Sequence, residues 1–428
     1  MRNVGIGLFG LGVVGSAVAS AIQSDRGMGA RSGVGLHVRG AVVRDPSKPR
    51  SVELSPDLVW TDARRVIDSD DIQIVVEVMG GVDPAFEYIT SALESGKHVV
   101  TANKEVLAKR GNDLLKTAAR CDRKLLYEAS VGGGIPILDP LSDDLLANRV
   151  GSIRAIINGT TNYILTRMAS EGAAFADVLK DAQALGYAEA DPTADVDGFD
   201  ALYKIAILGR LAFGASAPVD QIYREGIRKV DARDFRYADE LGFTIKLIAA
   251  AQRTANGVLQ RVHPALVPLN VPMASVNGAM NMVEVEGDLV GPLWFQGAGA
   301  GPAPTASAVL GDVLRIAREM DAPVVHGEAS HEPVPLAPMS GHECRYYIRL
   351  TAVDRAGVLA RVAKVLGDAG ISIRSVIQMD TDETARRADL VIMTHPAVEA
   401  NMQEAAASLR QLDVVVALAN LIRVESYS

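Results

Sequence analysis

The amino-acid sequence predicts an α/β chain: a doubly wound parallel sheet, then an α+β unit, then a small βαββαβ module. Three observations predict it. A glycine-rich turn directly follows the first apolar run, strand-like runs alternate with helical stretches as far as Glu128, and a Pro-rich break separates the last segment. Taken in order, Val4–Phe9 reads as a buried strand and Val13–Gln23 as the helix after it. Leu36–Val43 and Ile72–Val78 read as the second and third strands. Helical Pro84–Ser95 precedes a fourth strand, His98–Thr101, and Lys124–Glu128 is the fifth. This alternation is that of βαβ units in a parallel, Rossmann-type sheet.

From Ser152 the pattern changes. A strand at Ile153–Ile157 leads into Asn158-Gly-Thr-Thr-Asn-Tyr-Ile-Leu165. A helix-rich run then extends to about Phe213, with mixed segments to about Val285. Gly297–Gly301 is glycine-rich and opens a helix, Thr305–Met320. Ala322–Pro338 carries Pro323, Pro333, Pro335 and Pro338 with little periodicity and reads as a linker. Beyond it, strand Tyr346–Val353, helix Gly357–Ala369, strands Ile371–Met379 and Ala388–Thr394, helix Val398–Leu409 and strand Val414–Val424 form a ferredoxin-like βαββαβ unit. The expected division is 1–135 for dinucleotide binding (completed by about 300–320), 136–300 for substrate binding, catalysis and dimerisation, 321–343 as linker, and 344–428 as a compact regulatory unit.

Composition narrows the function. Lys+Arg number 43 against 52 Asp+Glu, a net charge of −9, so nucleic acid is not an expected partner. The 2 cysteines, Cys121 and Cys344, stand far apart, which excludes a disulfide framework and fits a reducing cytoplasm. Met1-Arg2 before the apolar run Val4–Ile22 imitates a signal peptide. Gly5, Gly7, Gly10, Gly12 and Gly15 would weaken a helical core there, and no other apolar run approaches a membrane span. The histidines have no metal-ligand spacing, and His326 and His331 fall in the linker. No Gly-x-Ser-x-Gly elbow supports hydrolysis.

The turn Gly10-Leu-Gly12-Val13-Val14-Gly15 is a GxGxxG between strand and helix. Gly10 permits the tight turn, Gly12 lets backbone approach a pyrophosphate, and Gly15 allows close helix packing. Where the second strand ends, Arg44 comes first, with Lys48 and Arg50 behind it. This favours the 2′-phosphate of NADP over NAD, with Asp45 as the competing signal.

Two lysines carry the chemistry. Lys104 follows the fourth strand, at the carboxyl edge where open α/β sheets bind ligands. Asp200 and Lys204 are four apart and share one helix face; from spacing alone an ordinary surface ion pair suffices. The acids Glu189, Asp191, Asp195 and Asp197 crowd the loop before that helix, which suits capture of a substrate ammonium as well as helix capping. Hydride transfer at a carbinol needs a group that exchanges the hydroxyl proton, and a lysine with a second lysine nearby is poised for it. Glu128-Ala-Ser-Val131-Gly-Gly133-Gly-Ile135-Pro136 is a glycine-rich bend that either reverses the chain or aims carbonyls at a hard cation.

The runs YEASVGGGIPILDPL, INGTTNYIL and LGYAEADPTADVDGFDALYKIAIL resemble homoserine dehydrogenase, over residues from about 3 to 325. The resemblance implies reversible NAD(P)-dependent interconversion of L-homoserine and L-aspartate 4-semialdehyde, on the route to threonine, isoleucine and methionine. It implies Lys204 as proton donor and Lys104 as the second active-site lysine, close to the nicotinamide. Glu189, Asp200 and Asp195 are then substrate-site acids, and Thr101, Gly186 and Gly301 cofactor contacts. It further implies a monovalent cation, usually sodium, on Glu128, Val131, Gly133 and Ile135. The C-terminal unit resembles an ACT domain through Val353-Asp354-Arg-Ala-Gly357-Val358-Leu359, whose helix-start amides would hold an amino-acid carboxylate, with Asp354 near the N-cap. That implies feedback inhibition by L-threonine at a subunit interface of a homodimer or tetramer, in a form without an aspartate kinase half. The competing expectations are a dehydrogenase of another small amino or hydroxy acid, and a nucleotide-gated amino-acid sensor without catalysis.

Overall fold

The computed structural model describes residues 2–324, 334–382 and 386–427. The linker histidines His326 and His331 lie outside them. The first sheet contains β1 (Arg2–Phe9), β2 (Val34–Val42), β3 (Val59–Trp60), β4 (Ile74–Glu77), β5 (His98–Thr101) and β6 (Leu125–Leu126). All pairings are parallel and the order is β3-β2-β1-β4-β5-β6, the doubly wound arrangement. Ile74–Val76 and Val99–Val100 are fully buried, because helices cover both faces of a parallel sheet. Helix Pro302–Arg318 returns from far down the chain and packs Val309, Val313 and Ile316 against Val18 and Ile22 of helix Val13–Ser24.

The expected fifth strand is shorter than its apolar run. Only Leu125–Leu126 pairs, and Glu128–Ser130 winds into a 3₁₀ turn. The buried Glu128 carboxylate draws the chain out of the sheet: it accepts from the amides of Ile137 (2.6 Å), Leu138 (3.0 Å) and Asp139 (2.7 Å), capping helix Leu138–Ser142. The two-residue β3 went unread because it is too short to show alternation.

The second sheet has 11 strands. Its first part is β7 (Val150–Ile156), β8 (Tyr223–Arg224), β9 (Phe243–Thr254), β10 (Gly257–Pro268), β11 (Met280–Gly287) and β12 (Gly291–Ala298). The C-terminal unit adds β13 (Glu343–Val353), β14 (Ile373–Asp382), β15 (Arg387–Thr394), β16 (Ala397–Val398) and β17 (Val415–Val424). The path runs β12-β11-β7-β9-β10-β17-β13-β15-β14, with β8 on β10 and β16 on β13. The βαββαβ order is as expected, and the unit shares a sheet with the one before it. β17 pairs with β10 through Ala265↔Arg423 and Leu266↔Val424, fusing the two halves into one sheet. After the break, Val334 and Leu336 bridge to Ala215 and Val258, so this part of the linker lies along the α+β unit.

A buried polar junction holds the fusion. Asp234, on helix Ala232–Glu240, accepts from Arg349 Nε (2.6 Å) and Nη2 (3.2 Å), Tyr347 Oη (3.0 Å) and Asn420 Nδ2 (2.8 Å). Both Asp234 and Arg349 are buried. Asp234→Ala leaves the buried Arg349 guanidinium with only the more distant Asp389 carboxylate, 3.8 Å from Nη1, and is expected to destabilise the fold by about 3–5 kcal/mol, read from urea denaturation.

Candidate active site

At the cofactor edge, Gly10 takes φ +101° and its amide donates to Val42 O at 3.0 Å. Gly12 precedes helix Val13–Ser24, and a Cβ there would meet nothing within 4 Å. A Cβ on Gly15 would lie 2.3 Å from Gly10 O, so only glycine lets the helix sit this close. The space beside Gly12 is open, and the first-turn amides of Val13, Val14 and Gly15 make no backbone hydrogen bond among the described residues, which is what a pyrophosphate requires. Val13 itself is 69% exposed and contributes backbone rather than packing.

Beyond β2, Arg44 is exposed and has no partner among the described residues. Asp45 is committed to its own loop: Oδ1 accepts from Ser47 N (2.9 Å) and Oγ (2.6 Å), and these bonds hold its carboxyl below the usual range. Arg50 is spent on the carbonyls of Asp45, Pro46 and Lys48.

Thr101 closes β5, but its hydroxyl is taken, donating to Glu77 Oε2 at 2.6 Å. Glu77 is fully buried, which pushes its carboxyl pKa up, and it also accepts from Met79 N at 2.7 Å. Sequence reading passed over Glu77, although it is the lone charge in an apolar strand. Asn103 caps the next helix, Lys104–Arg120, by accepting from Val106 N. Lys104 is thereby set on the first helical turn at the sheet's carboxyl edge.

Lys104 reaches across to the second unit. Its Nζ lies 2.6 Å from Asp200 Oδ1, while Lys204 Nζ lies 2.7 Å from Asp200 Oδ2. One carboxylate is therefore shared by two ammonium groups, and the expected surface ion pair is a buried site. Lys204 also donates to Ile157 O (2.8 Å), and Asn158 Nδ2 donates to Asp200 Oδ2 (2.9 Å) and Asp195 Oδ1 (2.7 Å). Helix Phe199–Phe213 carries Asp200 and Lys204, and its start is set by Gly198 at φ +82°. Asp200 and Lys204 are 5% and 7% exposed, whereas the Lys104 side chain is 43% exposed, so one lysine is sealed and the other faces the cleft.

Burial would raise the Asp200 pKa, but Lys204 and Lys104 overcome it and hold the carboxyl well below its usual value. Burial lowers Lys204, with Asp200 opposing and Lys104 adding to the fall. Asp200 raises Lys104. Asp195 is pushed up, chiefly by burial. Sequence reading assigned no role to Asn158; its place just before helix Gly159–Glu171 was the available signal.

The acidic loop divides. Only Asp195 joins Asp200. Asp197 pairs with Arg228 at 2.6 Å, and Asp191 accepts from Thr193 N at 3.1 Å. Glu189 is exposed, with no partner for its carboxylate among the described residues, and Gly186, at φ +78°, ends the helix before it. Thus Glu189 stands free rather than in the lysine cluster.

In the glycine-rich bend, Gly132 and Gly133 take φ +72° and +58°. A Cβ on Gly133 would lie 2.4 Å from Gly299 O, and Gly134 N donates to Ala298 O at 3.2 Å. The bend is thus clamped to the loop that Gly301 ends. The Glu128 side chain is used by helix Leu138–Ser142, whereas the carbonyls of Val131, Gly133 and Ile135 accept no backbone hydrogen bond among the described residues. A hard cation is suited by such carbonyls.

In the C-terminal unit, the expected cap at Asp354 is replaced. Gly357, at φ +87°, precedes helix Val358–Asp368 and no side chain caps it, because Asp354 is held back where its amide pairs with Arg386 O. Val358 is buried; Asp354, Gly357 and Leu359 are exposed. No described helix is long and apolar enough to cross a membrane.

Three family models match the chain: the homoserine dehydrogenase NAD-binding domain over residues 10–128, homoserine dehydrogenase over 136–314, and the ACT domain over 346–414. The chain is 45% identical over 438 residues to homoserine dehydrogenase of Mycobacterium tuberculosis, covering 99% of this chain and 98% of that one. The crystal structure of a homoserine dehydrogenase from Thiobacillus denitrificans superposes with TM-score 0.93 at 42% identity, covering 99% of both chains. A hyperthermophilic archaeal homoserine dehydrogenase in complex with NADPH aligns with TM-score 0.62 at 29% identity, over 73% of this chain and 97% of that one.

The shared carboxylate has a signature in stability. A carboxyl with a lowered folded pKa contributes stability above its unfolded value, here 3.8, and loses it as pH falls through the folded one. Asp200→Asn is therefore expected to be less stable than the parent at pH 7, by about 3–5 kcal/mol. The gap is expected to narrow below about pH 4 in urea titrations.

Proposed function

As a member of the homoserine dehydrogenase family, the chain is an NAD(P)-dependent oxidoreductase acting on a CH–OH group, and we propose how its side chains divide that work. When bound, the nicotinamide supplies a hydride acceptor in one direction and a hydride donor in the other. Lys204 is the proton-transfer group. Burial favours its neutral amine, which takes the proton from the L-homoserine hydroxyl; its ammonium returns that proton to the aldehyde oxygen of L-aspartate 4-semialdehyde. Asp200 orients Lys204 and, with Asp195 and the free Glu189, supplies negative charge for the substrate ammonium. Lys104 balances Asp200 from the cofactor side. The observation that carries this reading is the single buried carboxylate spanned by two lysines from two units of the fold.

Gly10, Gly12, Val13, Val14 and Gly15 hold the pyrophosphate, with Thr101, Gly186 and Gly301 along the rest of the cofactor. Thr101 contributes through its backbone, its hydroxyl being bound to Glu77. The unpartnered Arg44 supports NADP, as does the NADPH bound by the archaeal relative, while Asp45 is tied to Ser47 and unfit to grip a ribose 2′-OH. Backbone carbonyls of Glu128, Val131, Gly133 and Ile135 hold a monovalent cation, with sodium the expected ion. The exposed turn Asp354–Leu359 receives L-threonine, the chain acts as a homodimer or tetramer, and its two free cysteines suit the cytoplasm.

The test is absorbance at 340 nm with L-homoserine and NADP⁺ or NAD⁺ at alkaline pH, with and without L-threonine. A rise that threonine suppresses is the expected result. Lys204→Ala is expected to lower turnover by about 10²–10⁴-fold while NADPH binding, followed by fluorescence, persists. Arg44→Ala is expected to raise the KM for NADP⁺ about tenfold and to leave that for NAD⁺ unchanged, as loss of one charge-assisted contact implies.

A further inference from the structure

Asn281 is fully buried on β11, yet neither its Oδ1 nor its Nδ2 has a hydrogen-bond partner among the described residues. A carboxamide in that position forgoes both an acceptor and a donor, a cost the native fold normally avoids. Its neighbours are particular. Asn281 lies directly across the ladder from Gly297, and the next residue on that face is Gly299. A Cβ on Gly299 would lie 1.9 Å from Asn281 Nδ2, so the amide rests on bare backbone. On the same strand, a Cβ on Gly297 would meet Ile135 at 3.1 Å, and a Cβ on Gly133 would meet Gly299 O at 2.4 Å. The carboxamide therefore sits beneath the end of β12 and the short loop after it, Gly297-Ala-Gly-Ala-Gly301, small residues that touch the carbonyl bend on one side and open helix Pro302–Arg318 on the other.

We propose that Asn281 is a positioning residue for this loop: its idle carboxamide bonds the loop backbone when the loop settles onto the bound dinucleotide. The inference rests on the reading that Gly301 contacts the cofactor. An amide that is unsatisfied in the free protein and bonded in the complex adds to affinity at the expense of the free fold. That gives it a signature opposite to that of an ordinary structural asparagine, whose removal weakens the fold and leaves affinity alone.

The experiment compares Asn281→Leu with the parent in two readouts: thermal unfolding without cofactor, and NADPH affinity by fluorescence. Asn281→Leu is expected to melt at the same or a higher temperature, because it removes two buried unpaired groups. NADPH is expected to bind about tenfold more weakly, as loss of about one hydrogen bond implies, with the KM for L-homoserine unchanged. An NADPH affinity within twofold of the parent's overturns the proposal. So does a melting temperature lowered by several degrees in both Asn281→Leu and the smaller Asn281→Ala, which also serves should the leucine variant not fold. Failure of the parent itself to bind NADPH would overturn the cofactor reading instead.

Discussion

The Asp200 carboxylate is the constraint on which the rest of the structure depends. It sits between Lys104, on the first turn after β5, and Lys204, one helical turn further along its own helix. Two cations this close, one of them sealed from water, are tolerable only with an anion between them. The dinucleotide unit and the α+β unit must therefore keep a fixed distance across the cleft. In the proposed reaction, that same distance would let a hydride leave the carbinol carbon toward the nicotinamide while Lys204 takes the proton of its hydroxyl.

The supporting polar groups follow from it. Asn158 caps its helix with Oδ1 and turns Nδ2 to both Asp195 and Asp200, so one side chain sets the helix start and steadies the two acids. Glu77 anchors Thr101, and Asn103 caps the helix that presents Lys104. On the far side, Glu128 spends its carboxylate on helix Leu138–Ser142, which frees the bend after it to press against the Gly297–Gly301 loop. Asn158, Glu77, Asn103 and Glu128 thus each fix the place of a residue beside them.

The C-terminal unit is joined to this arrangement by hydrogen-bonded sheet pairing and buried charge. β17 extends the ladder begun by β10, and Asp234 and Arg349 lock the helix Ala232–Glu240 to β13. The pairing of β17 with β10 thus places the C-terminal unit on a strand that packs against the helix carrying Asp200 and Lys204. The linker follows the same surface where Val334 and Leu336 pair with Ala215 and Val258.

The doubly wound sheet, the phosphate-binding turn, the βαββαβ order and the two lysines were legible in the sequence, because each rests on local spacing: alternation of apolar runs, glycines at fixed offsets, four residues per helical turn. The conformational reasons assigned to Gly10, Gly12 and Gly15 match the space around them. What local spacing does not contain is the partner of each polar group. Asp200–Lys204 looks like a surface pair until Lys104, nearly a hundred residues upstream, closes over it. The four-acid loop looks like one cluster until Arg228 removes Asp197 and Thr193 holds Asp191. Glu77, Asn158 and Asn281 carried little signal, since burial and hydrogen-bond partners arise only when distant segments meet. The sequence by itself determined which elements form and which residue types can exchange a proton or hold a phosphate. Only the tertiary structure decided which charges are buried together, because desolvation and pairing belong to the packed chain and not to its order.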